Sequence, residues 1–465
     1  MWRPFETRPL TYLTFWLNEQ IDGHNPVGYH ALNLGLHLIA VWLLWDVLRR
    51  MMPERAAWIG AAIFAVHPFQ AEPVNYIFAR STTLATVLCL ASLASWIRGK
   101  RWWAVAWFGC ALLAKEECVA FPALLLLLEW WQTRARRGAT TLDLKFALRP
   151  IIVMFALAVM AGVRVLIASA QIEGSGAGTQ AGISWRAYGL TQGLVILRYL
   201  RMLILPWGFS IDPAVAIPPL WLGALAWIAV GCLAGSLAYF AMRGRPAALW
   251  FLAGLLLLLP SSSILPAADL AADRRLYLPM IAIAAGIGLM LQSARLSIVA
   301  AILVFFTGFS IARTATWRSD ASIWEDAAAK APSKVRPKLQ LARALDPQRA
   351  LKVLEVAQRI APDDPSIPAE QGRVYLSSGR PDLALLAFGR ALALAPRSSV
   401  ALNNRGAALL ALNQRDAAQA DFERALAIDA CQFDARLNLQ RLGVSAPPPS
   451  RCKFSTEQAR ALLGR

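Results

Sequence analysis

Acidic and basic side chains occur together at three places where an apolar segment of this chain ends. One is the stretch from His67 to Glu72, another is Lys115-Glu116-Glu117, and the third runs from Asp269 to Tyr277. Ionisable groups at bilayer depth cost free energy and usually line a cavity or a transport path. If these segment ends converge in space, they form a pocket that holds both carboxylates and cations.

A pocket of this composition suits a lipid-linked anionic substrate. Cationic side chains bind a phosphate, and a neighbouring carboxylate can accept a proton as a general base. The alternative is that each cluster is a solvated helix end with local ion pairs, since clustered charge also occurs for structural reasons. The sequence contains no phosphate-binding glycine loop, nucleophile elbow, zincin motif or paired Cys-x-x-Cys motif, so we predict no metal site and no separate cofactor.

His30, Asn33 and His37 share one face of the first apolar segment, at spacings of three and four residues. A helix rises about 10.5 Å over seven residues, so the two histidines cannot bind one metal ion without a bend. We expect a polar stripe that packs against another helix or faces the pocket.

The composition indicates a helical membrane protein. Hydrophobic residues make up 57% of the 465 residues, and the mean hydropathy is +0.45. The net charge of +18 comes largely from arginine and lysine in short loops between apolar segments. That placement is typical of membrane orientation signals, so we expect the lipid bilayer as a partner and no nucleic acid.

Ten apolar segments are separated by loops that alternate between basic loops and acidic or glycine-rich ones, as the positive-inside rule predicts. They are 29–48, 56–69, 82–97, 102–114, 119–131, 148–168, 221–242, 247–265, 277–291 and 296–311. Arginines interrupt residues 184–206, which predicts an amphipathic helix at the outer interface. We predict ten crossings with both chain ends on the outer, periplasm-like side.

The last third of the chain repeats every 34 residues. Segments that begin at Ala331, Pro365 and Ser399 align so that small or aromatic residues share columns. The columns are Ala350/Ala384/Ala418, Leu354/Phe388/Phe422, Ala357/Ala391/Ala425, Gly372/Gly406 and Pro362/Pro396. This period, with small residues at helix contacts, is the signature of tetratricopeptide repeats, which form a protein-binding α-solenoid.

The predicted organisation is all-α, a polytopic membrane bundle followed by a repeat solenoid. Residues 1–28 form an outer-face amphipathic segment and residues 29–313 form the membrane domain. The repeats occupy 331–445, and 446–465 form a Pro-rich linker and a short terminal helix. Cys431 and Cys452 flank the linker and could pair in an oxidising compartment, but the spacing leaves the pairing open.

Several uncommon motifs occur in order along the membrane part. They are Arg8-Pro9-Leu10-Thr11, Asn25-Pro26-Val27-Gly28-Tyr29-His30, His67-Pro68 followed by Glu72 and Arg80, Ala114-Lys115-Glu116, Leu205-Pro206-Trp207, Pro260-Ser261-Ser262, and Ala272-Asp273-Arg274-Arg275-Leu276-Tyr277-Leu278-Pro279. Together with the repeats behind them, these motifs resemble the transmembrane and tetratricopeptide-repeat O-mannosyltransferases. Those proteins look like the lipid-sugar-dependent glycosyltransferases of the GT-C fold.

The resemblance implies transfer of a sugar, typically mannose, from a polyprenyl phosphate to a Ser or Thr hydroxyl of an exported protein. For a bacterial relative, the reaction would take place at the periplasmic face of the inner membrane, with the repeats binding the acceptor. The resemblance assigns catalysis to carboxylates and substrate binding to cationic and other polar groups. These are Glu72, Glu116 and Asp273 for catalysis, and His67, Arg80, Lys115, Arg274 and Tyr277 for substrate binding, with Arg80, Lys115 and Arg274 on the donor phosphate.

Two features depart from the family pattern. Members usually begin with a membrane span and an outward loop whose acidic pair supplies the catalytic base, whereas here Arg8-Pro9-Leu10 follows Met1 almost directly. Thr82 stands where relatives tend to have an acid after the Arg. Either the true start lies upstream or the catalytic loop has been lost. In the second case the chain is an inactive membrane-anchored repeat scaffold for protein–protein interaction, which we keep as the alternative function.

Overall fold

The computed structural model describes residues 8–135, 141–171, 183–262 and 269–447, together with Cys452, Gln458, Ala461 and Leu462. Within these residues every regular element is an α-helix or a 3-10 helix, with no strand. The prediction of an all-α chain is therefore confirmed. Two compact units, Met1–Arg318 and Ser319–Arg465, make up the chain.

The first unit is built from helices joined by short turns. Its α-helices are α1 (Pro9–Asp22), α2 (Pro26–Leu48), α3 (Glu54–Val66), α4 (Ala71–Asn75), α5 (Arg80–Ile97), α6 (Arg101–Ala114), α7 (Phe121–Ala135), α8 (Thr141–Gln171), α9 (Trp185–Ile204), α10 (Leu220–Met242), α11 (Pro246–Leu258), α12 (Pro279–Leu291) and α13 (Leu296–Ala315). Four 3-10 turns stand between them: Pro68–Gln70, Ile77–Ala79, Glu116–Ala120 and Asp273–Leu276.

Five helices of the described chain are long and apolar enough to cross a membrane. They are Pro26–Leu48, Ile77–Ile97, Leu148–Ala168, Leu220–Met242 and Leu296–Ala315, and α11 and α12 are shorter apolar helices. Large apolar side chains on these helices face outward, for example Trp42, Ile228 and Val304. This pattern suits contact with lipid and supports the predicted helical membrane domain. The count of ten crossings and the interfacial position of α9 stay predictions.

Small residues bring α3 and α12 into close contact. A Cβ atom on Gly288 would lie 2.2 Å from the carbonyl oxygen of Ala56, and one on Gly60 would lie 2.9 Å from that of Ala284. Ala56 and Gly60 are four residues apart on α3, and Ala284 and Gly288 are four residues apart on α12. Each pair therefore lies on one face of its helix, as small residues do at helix contacts in lipid. This contact fixes two helices whose ends carry predicted site segments, because α3 leads into His67 and α12 follows Tyr277.

The second unit consists of helices that pack in successive pairs. They are α14 (Asp320–Lys330), α15 (Arg336–Ala344), α16 (Pro347–Ile360), α17 (Ser366–Ser377), α18 (Pro381–Leu394), α19 (Ser399–Ala411), α20 (Arg415–Ile428) and α21 (Phe433–Arg441). The alanine and aromatic columns of the repeat are all buried. Gly372 lies under the ring of Phe388, and Gly406 lies under Phe422 in the same way. The predicted repeat architecture is confirmed.

We expect Gly372→Ala to destabilise the repeat unit by about 1–3 kcal/mol, as overpacking of a buried contact does. A Cβ atom there would lie 2.7 Å from Phe388, whose ring is fully buried. The matched control is Gly389→Ala, because nothing lies within 4 Å of a Cβ at that position in α18. That change should be neutral or stabilising by about 0.5–1 kcal/mol. Hydrogen exchange of the α17 and α18 amides in the full chain measures both, and equal protection in the two variants would contradict the packing described.

Cys431 and Cys452 form a disulfide, with their Cα atoms 5.3 Å apart. The pairing that the spacing left open is therefore present in the structure. It ties the chain after α20 to the C-terminal segment. The predicted terminal helix after the Pro-rich linker lies mostly outside the described residues.

Candidate functional site

The segment that begins at His67 turns the chain at the C-terminal end of α3. One ring nitrogen of His67 accepts a hydrogen bond from the backbone N–H of Phe69 at 3.2 Å, and the other lies 3.3 Å from the carbonyl oxygen of Leu203. A backbone donor on one side and a carbonyl on the other fit a neutral imidazole that donates through Nε2. The ring is fully buried and stacks on Phe69. His67 therefore holds the turn that places Glu72, rather than presenting its own ring to solvent.

Glu72 lies on the one-turn helix α4 and is only 2% exposed. Its Oε1 accepts a hydrogen bond from Arg274 Nη1 at 2.9 Å. Its Oε2 is buried and has no hydrogen-bond partner among the described residues, and both amide atoms of Gln70 are in the same condition. Buried polar atoms are normally paired, and an unpaired one costs free energy. One oxygen of the Glu72 carboxylate is therefore buried without a hydrogen-bond partner in the described part of the chain.

Arg274 lies in the 3-10 turn Asp273–Leu276 and binds two carboxylates. Nη1 binds Glu72 as described, and Nη2 lies 3.2 Å from Asp269 Oδ2. The Arg274 side chain keeps 25% of its surface exposed, whereas Glu72 is closed off. The guanidinium therefore connects the buried carboxylate to the accessible surface.

Lys115 follows the last residue of α6 and is almost fully buried. Its Nζ donates to Thr82 Oγ1 at 2.7 Å and lies 2.7 Å from the carboxylate of Glu117. Burial is the largest cause that lowers the pKa of Lys115, and the positive charges of Arg8 and Arg274 lower it further. Thr82, the residue that departs from the family pattern, is thus a direct partner of this lysine. Lys115 and Arg274 lie near enough for the charge of one to lower the pKa of the other.

Glu116 has the opposite electrostatic environment to Glu72. Two guanidinium nitrogens of Arg8 donate hydrogen bonds to the Glu116 carboxylate, one of them at 2.9 Å. Burial disfavours the charged form of Glu116, but the charge of Arg8 outweighs it and holds the pKa of Glu116 at about 2. At Glu72, burial raises the pKa in spite of the nearby charge of Arg274. Two carboxylates with divergent environments have different roles, and the raised pKa makes Glu72 the better proton acceptor of the two.

Asp273 has both of its carboxylate oxygens occupied. Oδ1 lies 2.6 Å from Arg198 Nη1, and Oδ2 accepts a hydrogen bond from the backbone N–H of Ser210 at 3.1 Å. The residue is 1% exposed. Its contacts anchor the 3-10 turn that carries Arg274 to α9, so Asp273 positions the cation.

Arg80 is fully buried and is bound by uncharged groups of the chain. Its guanidinium donates to Asn33 Oδ1 at 2.9 Å and to the backbone carbonyls of Tyr29 and Thr14, and it stacks over the ring of Phe15 at 4.3 Å. All three of its nitrogens bind groups of this chain. In the structure Arg80 links α5, which carries it, to α1 and α2.

Tyr277 is also fully buried, and its hydroxyl lies 2.9 Å from His37 Nδ1. The second ring nitrogen of His37 lies 3.2 Å from the carbonyl oxygen of Ala65. Asn33 and His37 thus contact other helices, as expected for the polar stripe of the first apolar segment, whereas His30 is exposed. Tyr277 connects α2 to the start of α12, beside the turn that carries Arg274.

The structure therefore brings four of the predicted site residues into one charge cluster: Glu72, Lys115, Glu116 and Arg274. Asp273, His67 and Tyr277 support the segments that carry them, and Arg80 is occupied by uncharged groups of α1 and α2. Sequence reasoning missed Arg8 as the partner of Glu116 and Arg198 as the partner of Asp273. The one signal available for Arg198 was that it interrupts an apolar stretch.

Comparison with known proteins relates part of this chain to protein O-mannosyl-transferases. No family model matches. The chain is 37% identical over 127 residues to protein O-mannosyl-transferase Tmtc1 of Drosophila melanogaster. The aligned region covers 26% of this chain and 15% of that protein. It is 39% identical over 93 residues to protein O-mannosyl-transferase TMTC1 of Homo sapiens, which covers 20% of this chain and 10% of that protein. The matched region is thus a small share of each relative's length.

One solved structure, the crystal structure of the APC/C hetero-tetramer Cut9–Hcn1, aligns over 95% of this chain and 96% of its own. The sequence identity is 13% and the TM-score is 0.26. A similarity this low carries no argument about the present fold. By sequence, the chain is similar over about a quarter of its length to proteins named as protein O-mannosyl-transferases.

Proposed function

We propose that this chain is a membrane glycosyltransferase that moves a sugar from a polyprenyl-phosphate donor to a Ser or Thr hydroxyl of a protein. The observation that carries the proposal is the buried Glu72 carboxylate, with one oxygen held by Arg274 and the other without a partner. The partial similarity to protein O-mannosyl-transferases supports the reaction class and favours mannose as the sugar. The site supplies both groups that the chemistry requires, a proton acceptor and cations for a phosphate.

In the proposed reaction the acceptor hydroxyl binds at Glu72 Oε2. As the acceptor oxygen forms its bond to the anomeric carbon, Glu72 takes the hydroxyl proton. The bond between the anomeric carbon and the phosphate oxygen breaks, and polyprenyl phosphate leaves with the electron pair. Arg274 and Lys115 stabilise the negative charge that develops on this phosphate. Glu116, held ionised by Arg8, keeps the cationic groups in place and does not exchange the proton.

The repeat unit would bind the protein acceptor. Tetratricopeptide-type hairpins present extended surfaces to peptides and proteins. The Cys431–Cys452 disulfide supports a location of this unit on the oxidising side of the membrane, since disulfides persist in such compartments. For a bacterial chain that side is the periplasmic face of the inner membrane, and the apolar helices would keep the site at the bilayer surface where a lipid-linked donor lies.

The proposal is tested by mass spectrometry of exported proteins for O-linked hexose. Cells that produce the full chain should carry hexose on Ser and Thr of exported proteins, and otherwise identical cells without the chain should not. Removal of residues 319–465 should strongly reduce the modification, with the membrane unit still inserted. Unchanged hexose in the cells without the chain would contradict the proposal.

A second candidate function is a membrane-anchored scaffold. The observation that favours it is that the repeats form a compact unit of their own, Ser319–Arg465. Capture of a partner protein by the full chain, lost on removal of residues 319–465, in cells that show no sugar transfer, would favour the scaffold over the enzyme.

A further inference from the structure

A second site lies at the opposite ends of the helices that carry the charge cluster. The C-terminal ends of α2, α5, α7 and α12 meet the start of α11 around a cavity of about 680 Å³. Its described lining includes Arg50, Arg101, Glu129, Trp96 and Trp250. None of the residues that line it belongs to the site built around Glu72. A volume of this size is typical of sites that bind a small molecule or a lipid headgroup.

Positive charge exceeds negative charge around this cavity. The single carboxylate of Asp46 is shared by three arginines, with Arg49 at 2.7 Å, Arg50 at 3.0 Å and Arg98 at 2.5 Å. All three guanidinium side chains stay roughly 40% exposed.

The second carboxylate, Glu129, lies 3.6 Å from Arg101 and accepts a hydrogen bond from Trp96 Nε1 at 2.8 Å. Among the described residues that line the cavity, two arginines accompany this one carboxylate, an excess of one positive charge. Arg50 and Arg101 both line the cavity itself. The wall is therefore suited to an anion.

The rest of the wall is apolar and aromatic. Met51, Met52 and Ile97 contribute partly exposed aliphatic surface, and the partly exposed indole ring of Trp131 also lines the cavity. Tryptophan is enriched where membrane helices meet the headgroup layer, because its ring is apolar and its N–H is polar. A small soluble anion would make no contact with this apolar surface, whereas a lipid can place its acyl chains against it.

We propose that this cavity binds the phosphoryl headgroup of an anionic membrane phospholipid. Arg50 and Arg101 bind the phosphate, and the acyl chains run along Met51 and Trp131, which line the cavity and are partly exposed. The bound lipid bridges the ends of α2, α5, α7 and α11 and holds this face of the bundle in the headgroup layer. This site is separate from the sugar-transfer site, so the proposal does not depend on the proposed reaction.

The test is lipid binding by the purified full chain, followed by native mass spectrometry during titration with phosphatidylglycerol or phosphatidylcholine. The double variant Arg50→Gln/Arg101→Gln should bind phosphatidylglycerol about 25-fold more weakly than the original chain, at about fivefold per arginine. Both carboxylates keep partners in this variant, Asp46 through Arg49 and Arg98 and Glu129 through Trp96, so the fold should persist. An unchanged melting temperature checks that it does.

The matched control is Arg243→Gln, because Arg243 is an exposed arginine after α10 that packs on Tyr239 and does not line the cavity. It should bind phosphatidylglycerol as the original chain does. Equal affinity of the double variant and the control would overturn the proposal, as would equal affinity for phosphatidylcholine. Displacement of phosphatidylglycerol by millimolar inorganic phosphate would also overturn it, because the site would then serve a free anion.

Discussion

Glu72→Gln is expected to lower sugar transfer by about 10²–10⁴-fold, the usual contribution of a general base. The substitution keeps the size of the side chain and an acceptor oxygen for Arg274, but it removes the group that takes the proton. Because the amide keeps an acceptor oxygen for Arg274 and Asp269 still pairs with that cation, membrane insertion should be retained, and the melting temperature of the variant checks the fold. The initial rate of labelled sugar transfer to a Ser/Thr peptide measures the effect.

The matched control is Glu54→Gln. Glu54 is an exposed carboxylate in the first turn of α3, at the other end of the helix that leads into the site segment. Its loss should leave the transfer rate unchanged. If Glu72→Gln retained full activity with the control, Glu72 would not be the base, and the placement of the reaction at this cluster would be wrong.

Arg274→Ala is expected to reduce transfer by at least about 10²-fold, as loss of a group that stabilises transition-state charge does. The change removes the group that pairs with Glu72 at 2.9 Å and with Asp269 at 3.2 Å. It also removes the more exposed of the two cations proposed to bind the donor phosphate. The exposed Arg295, at the start of α13, provides the control Arg295→Ala, which should keep the original rate.

Arg274→Ala should also change how the rate of transfer depends on pH. A general base works only when ionised, so the rate rises with pH through the pKa of Glu72. Burial raises that pKa and the charge of Arg274 lowers it. Removal of Arg274 therefore raises the pKa further and moves the rising limb of kcat/KM to higher pH. In Glu72→Gln the limb should be absent. A rising limb at the same pH in Arg274→Ala and the original chain would show that Glu72 is not the group that titrates.

The repeat unit was predictable from sequence because its contacts are local. The 34-residue period places Gly372 under Phe388 within one hairpin, and small residues at fixed spacing report that packing directly. The three charge clusters were also visible, since each is a short stretch of polar residues at the end of an apolar segment. Their convergence is a tertiary property, and sequence could state it only as a condition.

The partners of the site residues were not predictable in the same way. Arg8 and Glu116 are separated by 108 residues, and Arg198 and Asp273 by 75. No local pattern links residues at such distances. The buried state of Arg80 was hidden for the same reason, because the groups it binds come from α1 and α2. A cation in a family-like motif looks the same in sequence whether it binds a phosphate or ties three helices together.

The central claim, that Glu72 drives sugar transfer from a lipid-linked donor, is tested most directly with the purified full chain, a labelled mannosyl-phosphoryl-polyprenol and a Ser/Thr peptide. The measurement is labelled peptide formed against polyprenyl phosphate released, for the original chain and for Glu72→Gln. We expect the two products to appear in equal amounts with the original chain and both to form about 10²–10⁴-fold more slowly with the variant. Transfer at the same rate by both proteins, or no transfer by a correctly folded original chain, would contradict the claim.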